Sequence, residues 1–226
     1  MKPYPEILIT GFPNSGTSFL CNLVVALGKS PGNQRDLKDA DKHNRYGYFE
    51  NMKMRNLAHE ILGHEYFKFW DKEFIPLHPL EFPKEKIDKY SKLIAKIAQE
   101  GNIEVCKDTI FPIIFKVFPK ESKYIVIKRD TVKCYESPQK GGHSKIPCSF
   151  EEFLEAYNKY YGLVSQMAKE VSVLQVNYED FYADFNRSVQ KVSEFIGVAL
   201  SAERLNDLKK IFKPRQSLLK KILSYI

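Results

Sequence analysis

Residues 6–18 read EILITGFPNSGTS, and this stretch decides the fold. Its first five residues form a short apolar run with no polar alternation, as expected for a parallel strand buried on both faces. Gly11 and Gly16 then bracket a tight turn, and the helical spacing of Phe19, Leu20, Leu23, Val24 and Leu27 predicts a helix over 16–28, stopped by Gly28 and Pro31-Gly32. A strand that enters a helix through a glycine-rich turn is the context of a phosphate-binding loop. The amides of the turn and of the first helical turn point at one spot, and the helix dipole favours an anion there. Thr17 and Ser18 add hydroxyl donors. Nucleoside triphosphatases of the G-x-x-x-x-G-K-[ST] type carry lysine where this chain has Thr17, and that lysine reaches the β- and γ-phosphates. Its absence argues against a kinase or GTPase and for a ligand with a smaller phosphate group at this loop.

Outward from the loop, residues 29–46 are polar and read as a loop, and helices are expected at about 51–62 and 84–100. IEVCKD (103–108) reads as a strand and 110–118 as a helical turn. YIVIKRD (124–130) is the clearest strand, PQKGGHSKIP (138–147) reads as a loop, and 149–170 as an amphipathic helix. VSVLQVNY (171–178) reads as another strand, with helices at about 185–197 and 201–212. Strands alternating with helices predict an α/β, three-layer architecture, a mostly parallel central sheet with helices on both faces. No repeat or linker divides the chain, so 1–226 reads as one domain, with 213–226 a basic tail.

The 226 residues carry 35 Lys and Arg against 28 Asp and Glu, a net charge of +7. A nucleic acid or a small nucleotide with several phosphates would fit that charge, but the excess is scattered, so most of these residues read as solvated surface and no polyanion track is expected. Cysteines 21, 106, 134 and 148 form no Cys-x-x-Cys pair, so free buried thiols are expected. The first residues hold too short an apolar run for a signal peptide, and no run reaches the ~18–20 residues of a membrane helix. The expectation is a cytoplasmic protein with no membrane span; the oligomeric state stays open. His59 and His64 are five apart, which turns their rings about 140° from each other on a helix, so no metal site is expected.

Pro13-Asn14-Ser15-Gly16-Thr17-Ser18 resembles the 5′-phosphosulfate loop of the sulfotransferase family, Pro-Lys/Arg-Ser-Gly-Thr-Thr/Ser, with Asn14 in place of the basic residue. The resemblance implies 3′-phosphoadenosine-5′-phosphosulfate as sulfuryl donor, adenosine 3′,5′-bisphosphate as product, no metal, and transfer to a hydroxyl or amine acceptor. It also implies an Arg after a mid-chain strand and a Ser eight positions on, both on the 3′-phosphate; Arg129 and Ser137 have that spacing. Arg129 has two readings from its type alone: a bidentate phosphate fork or a partner for Asp130 or another surface carboxylate. Lys107 resembles the family's strand-end lysine beside the acceptor, and Thr109 stands where the family has a histidine base. Gly47-Tyr48-Phe49-Glu50 is similar to a segment in smaller members whose Glu acts as base, so Glu50 is the candidate base and His43 the reserve; the other reading of Glu50 is a helix N-terminal carboxylate. Lys213-Pro214-Arg215 either closes over the 3′-phosphate, through Arg215, or is a solvated tail. A carbohydrate or another small hydroxyl-bearing molecule, a lipid headgroup, a phenol or a peptide tyrosine remain open as acceptor. The competing readings are a nucleotide-dependent phosphotransferase and a non-catalytic nucleotide-binding protein of the same fold.

Overall fold

A computed structural model describes residues 2–40, 47–63, 75–140, 146 and 148–212. Strand β1 (Ile7–Thr10) leads into helix α1 (Thr17–Ala26); α2 (Met52–Leu62) and α3 (Lys84–Gly101) precede β2 (Val105–Lys107). The short α4 (Phe111–Ile114) runs on into a 3₁₀ turn, followed by β3 (Lys123–Lys128), α5 (Thr131–Lys140), α6 (Phe150–Met167), β4 (Ser172–Asn177), α7 (Asp180–Ala183), α8 (Phe185–Ile196) and α9 (Ala202–Ile211). The four strands pair in the order β2-β1-β3-β4, all in parallel.

All four residues of β1 are fully buried, because its side chains alternate between two cores. Leu8 packs with residues of α2, α3, α4 and α6 on one face. Ile7 and Ile9 pack with α1, α8 and α9 on the other. The three-layer α/β expectation therefore holds. The strand order carries the functional consequence. From β1 the chain goes to one neighbour, β2, and then crosses back to the other, β3. The direction in which strands are added reverses about β1, and in parallel sheets ligands bind beyond the carboxyl ends of the strands at such a point.

Two readings change. The segment expected as a loop from 138 is helical through Lys140, so the helix continues past Pro138 despite the N–H that proline cannot donate. The helix expected over 149–170 stops at Met167; its start is fixed by Ser149 and Glu152, which satisfy each other's backbone N–H groups in a capping box. The four cysteines are free thiols. No described helix is long and apolar enough to cross a membrane.

Candidate active site

The turn after β1 is built by close approach. A Cβ on Gly11 would lie 2.5 Å from Ser15 Oγ and 2.6 Å from the Ile127 carbonyl oxygen, so only glycine fits between β1 and β3. Gly16, the N-cap of α1, has φ +103°, and a Cβ there would lie 2.5 Å from the Tyr178 ring. Asn14 also lies in the left-handed region, φ 66°. Asparagine adopts that conformation more readily than lysine or arginine, a backbone reason for the residue found here. No side chain caps α1, and its first turn holds no acidic residue, so the positive end of its dipole is unopposed. Pro13, Thr17 and Ser18 are half-buried around it, and Ser15 is buried.

Arg129 follows directly after β3 and reaches this turn. Its Nη1 donates to the Asn14 carbonyl oxygen at 3.0 Å, and its guanidinium lies 4.8 Å from the Tyr178 ring centroid. No ion pair to Asp130 forms. Five buried side-chain polar atoms among the described residues lack a hydrogen-bond partner, and three belong to this corner: Asn14 Nδ2, Ser15 Oγ and Arg129 Nε. A buried donor left unmade costs about 1–3 kcal/mol, so the cluster fits residues shaped around an anion such as a phosphate.

Helix α6 locks the corner from behind. The Tyr161 hydroxyl donates to the Ile127 carbonyl oxygen at 2.8 Å and accepts from the Phe12 N–H at 3.4 Å, joining the turn to β3. The Tyr160 hydroxyl and Thr10 Oγ1 share a 2.7 Å bond, and the Tyr157 hydroxyl donates to the Arg129 carbonyl oxygen at 3.0 Å. Burial pushes the Tyr161 hydroxyl well above the ordinary tyrosine range, so it stays protonated and able to donate. The sequence reads as an amphipathic helix here, which by itself gives these three tyrosines no role at the turn. Three hydroxyls at spacings of three and four were the available signal.

The other side of the turn carries charge. Lys107 ends β2, and pairing opposite Ile9 sets it at the carboxyl end of β1. Its side chain is 4 % exposed; Nζ donates to Ser18 Oγ at 3.0 Å and lies 3.0 Å from Glu50 Oε1. Glu50 is brought round by two left-handed residues, Gly47 at φ 86° and Phe49 at φ 52°. For a bulky residue such as Phe49 that backbone is strained. Asn51 then caps α2 by accepting from the Met54 N–H, and α2 returns Arg55 to Glu50 Oε2. Lys38 approaches the same oxygen at 3.9 Å. Burial pushes the Glu50 carboxyl up, but the charges of Lys107 and Arg55 outweigh it and hold the pKa below the ordinary carboxylate value. Asp108, beside Lys107, is also buried; burial raises its pKa, a shift only partly offset by His59 and by the Ile110 N–H.

The structure thus brings together the 13–18 turn, Arg129, Lys107 and Glu50. Ser137 lies two turns into α5, half-buried, and no hydrogen bond joins it to Arg129. His43 and Arg215, with the rest of the basic tail, lie outside the described residues. Sequence reasoning missed Arg55 and Lys38, since nothing in their spacing points to Glu50.

Residues 4–214 match the model of a family described as the sulfotransferase domain. No curated protein matches the chain by sequence. Among solved structures the chain is similar to the sulfotransferase domain of the Synechococcus PCC 7002 olefin synthase, with a TM-score of 0.52 and 19% identity over 90% of this chain and 76% of that one. It is also similar to a mouse sulfotransferase complexed with PAP, with a TM-score of 0.50 and 13% identity over 94% of this chain and 65% of that one, just under two thirds of its length. At such identities the likeness is one of fold.

Proposed function

This chain belongs to the sulfotransferase domain family, and from that premise we propose that it moves a sulfuryl group from 3′-phosphoadenosine-5′-phosphosulfate to a hydroxyl-bearing acceptor. The observation that carries the reading is the cluster of unpartnered buried atoms, Asn14 Nδ2, Ser15 Oγ and Arg129 Nε, at two adjacent strand ends. A nucleotide carrying a 5′ and a 3′ phosphate group suits a corner with donors from both strand ends. The PAP complex of the mouse relative supports the same donor.

When bound, the donor supplies a sulfuryl group already activated by its link to a phosphate. The 13–18 turn holds the 5′ side through its amides, Ser15, Thr17 and Ser18, while Arg129 and Ser137 hold the 3′-phosphate. Glu50 takes the proton of the acceptor hydroxyl as that oxygen bonds to sulfur. The sulfur–oxygen bond to the 5′-phosphate breaks, its electron pair leaves with adenosine 3′,5′-bisphosphate, and Lys107 neutralises the charge that appears there. Asn14 supplies no charge in this scheme. The Lys107 ammonium, 3.0 Å from Ser18 Oγ, replaces it. Calorimetry with adenosine 3′,5′-bisphosphate against ATP with Mg²⁺ tests the reading. Bisphosphate binding followed by transfer of labelled sulfate supports it. Tight ATP binding without bisphosphate binding replaces it with a phosphotransferase.

A further inference from the structure

One cation suffices to compensate a partly buried carboxylate, yet three converge on Glu50. Lys107 faces the donor loop through Oε1 and is 4 % exposed. Arg55 and Lys38 both face Oε2, and their side chains are 34 % and 39 % exposed. Among the described residues, Glu50 is the only carboxylate within ion-pair distance of either. The neighbouring Asp36 is taken by Lys53 at 3.1 Å. With Asp108 also counted as ionised, the group of Lys38, Arg55, Lys107, Glu50 and Asp108 keeps a positive excess on its solvent side.

The surplus pair is held in place. The Lys38 N–H donates to the Glu50 carbonyl oxygen at 2.9 Å, Leu37 bridges Asn51, and the Lys38 ammonium sits 4.0 Å from the Tyr48 ring centroid. Arg55 is fixed on the first turns of α2 by the Asn51 cap. For a proton acceptor this surplus is counterproductive, because each cation stabilises the carboxylate it must give up on protonation. Two half-exposed cations that weaken the base at rest call for a second anion.

We propose that the acceptor is itself anionic, a hydroxyl compound whose carboxylate or phosphate is held by Arg55 and Lys38 next to the hydroxyl that Glu50 deprotonates. The inference rests on the sulfotransferase reading above. Arg55 and Lys38 turn from Glu50 Oε2 to the acceptor's anionic group, leaving that oxygen open to the acceptor hydroxyl, while Lys107 keeps Oε1. The enzyme is thereby most active toward the acceptors that carry the charge it selects.

The test is calorimetric and needs no turnover. The wild-type chain, saturated with adenosine 3′,5′-bisphosphate at low salt, is titrated with p-nitrophenyl β-D-glucoside, the corresponding glucuronide and the glucoside 6-phosphate. At least one of the two anionic glycosides should bind tenfold or more tighter than the neutral one, a margin that falls below threefold in the Lys38→Gln/Arg55→Gln double variant. Equal affinity for all three, binding of none, or a margin that survives in the variant overturns the proposal. If the double variant loses the bisphosphate, and with it the fold, Lys38→Gln alone should still shrink the margin, and an unchanged margin there is equally fatal. Failure of the wild type to bind the bisphosphate refutes the sulfotransferase reading itself.

Discussion

Replacing Lys107 with methionine keeps the length of the side chain and removes its charge where the 13–18 turn and the candidate base meet. At 3.0 Å from Glu50 Oε1, the gross attraction is about 5.5 kcal/mol at an effective dielectric of about 20. Burying both charges takes much of this back, typically several kcal/mol per ion. Glu50 keeps Arg55 and Lys38 in the variant, so it is not abandoned. The expected stability loss is then about 1–2 kcal/mol rather than the ~3–5 of a fully orphaned buried charge, a fall in melting temperature of about 2–8 °C for a chain of this length. The larger effect is on transfer. Losing one preorganised positive donor at a developing anion slows catalysis by about 10²–10³. The assay is single-turnover transfer of labelled sulfate, with bisphosphate affinity measured alongside. A double-mutant cycle with Glu50→Gln should give a coupling of about 1–3 kcal/mol in stability. A variant that transfers within threefold of wild type, or a cycle additive to within about 0.5 kcal/mol, refutes the assignment.

Arg129→Ala should weaken adenosine 3′,5′-bisphosphate binding by about 1.5–3 kcal/mol, the worth of a charged hydrogen bond; unchanged calorimetric affinity would place the 3′-phosphate elsewhere. Tyr161→Phe removes the bond to the Ile127 carbonyl oxygen and leaves the Phe12 N–H without its partner, so a loss of about 1–2 kcal/mol in stability is expected from chemical denaturation, and wild-type stability would show that α6 does not hold the turn. Glu50→Gln should spare bisphosphate binding and slow transfer by about 10²–10⁴, the range of general-base catalysis. Because the folded pKa of Glu50 is depressed, its stabilising contribution is complete above the ordinary value of 4.5 and disappears as pH falls through the lower folded value. The acid limb of kcat/KM should accordingly lie below pH 4.5 and move up in Arg55→Gln; an acid limb that Arg55→Gln leaves in place would separate Glu50 from the proton transfer.

Much of the scaffold could be read from local chemistry. Ile7, Leu8 and Ile9 leave no polar position between Glu6 and Thr10 to give one face to water, as expected of a strand buried on both sides, and Gly11 and Gly16 mark the turn because no other residue fits beside Ile127 and Tyr178. The capping box of α6 follows from Ser149 and Glu152, three residues apart. Asn14 was legible only as a missing charge. Its left-handed backbone, and the 3.0 Å bond from the Lys107 ammonium to Ser18 Oγ in the same turn, appear only in the folded chain.

What the sequence determined by itself was therefore the strand, the turn and the helix that follows, together with a list of polar residues able to serve them, because periodicity, glycine torsions and capping act within a few residues. The tertiary structure alone decided which of those residues meet. Ser18 and Lys107 are 89 positions apart, Asn14 and Arg129 are 115 apart, and Phe12 and Tyr161 are 149 apart. Each pair is joined only because β2 and β3 flank β1 in parallel and α6 lies across their ends. Strand order and register are set by the packing of both cores at once, and no local pattern in the chain encodes them.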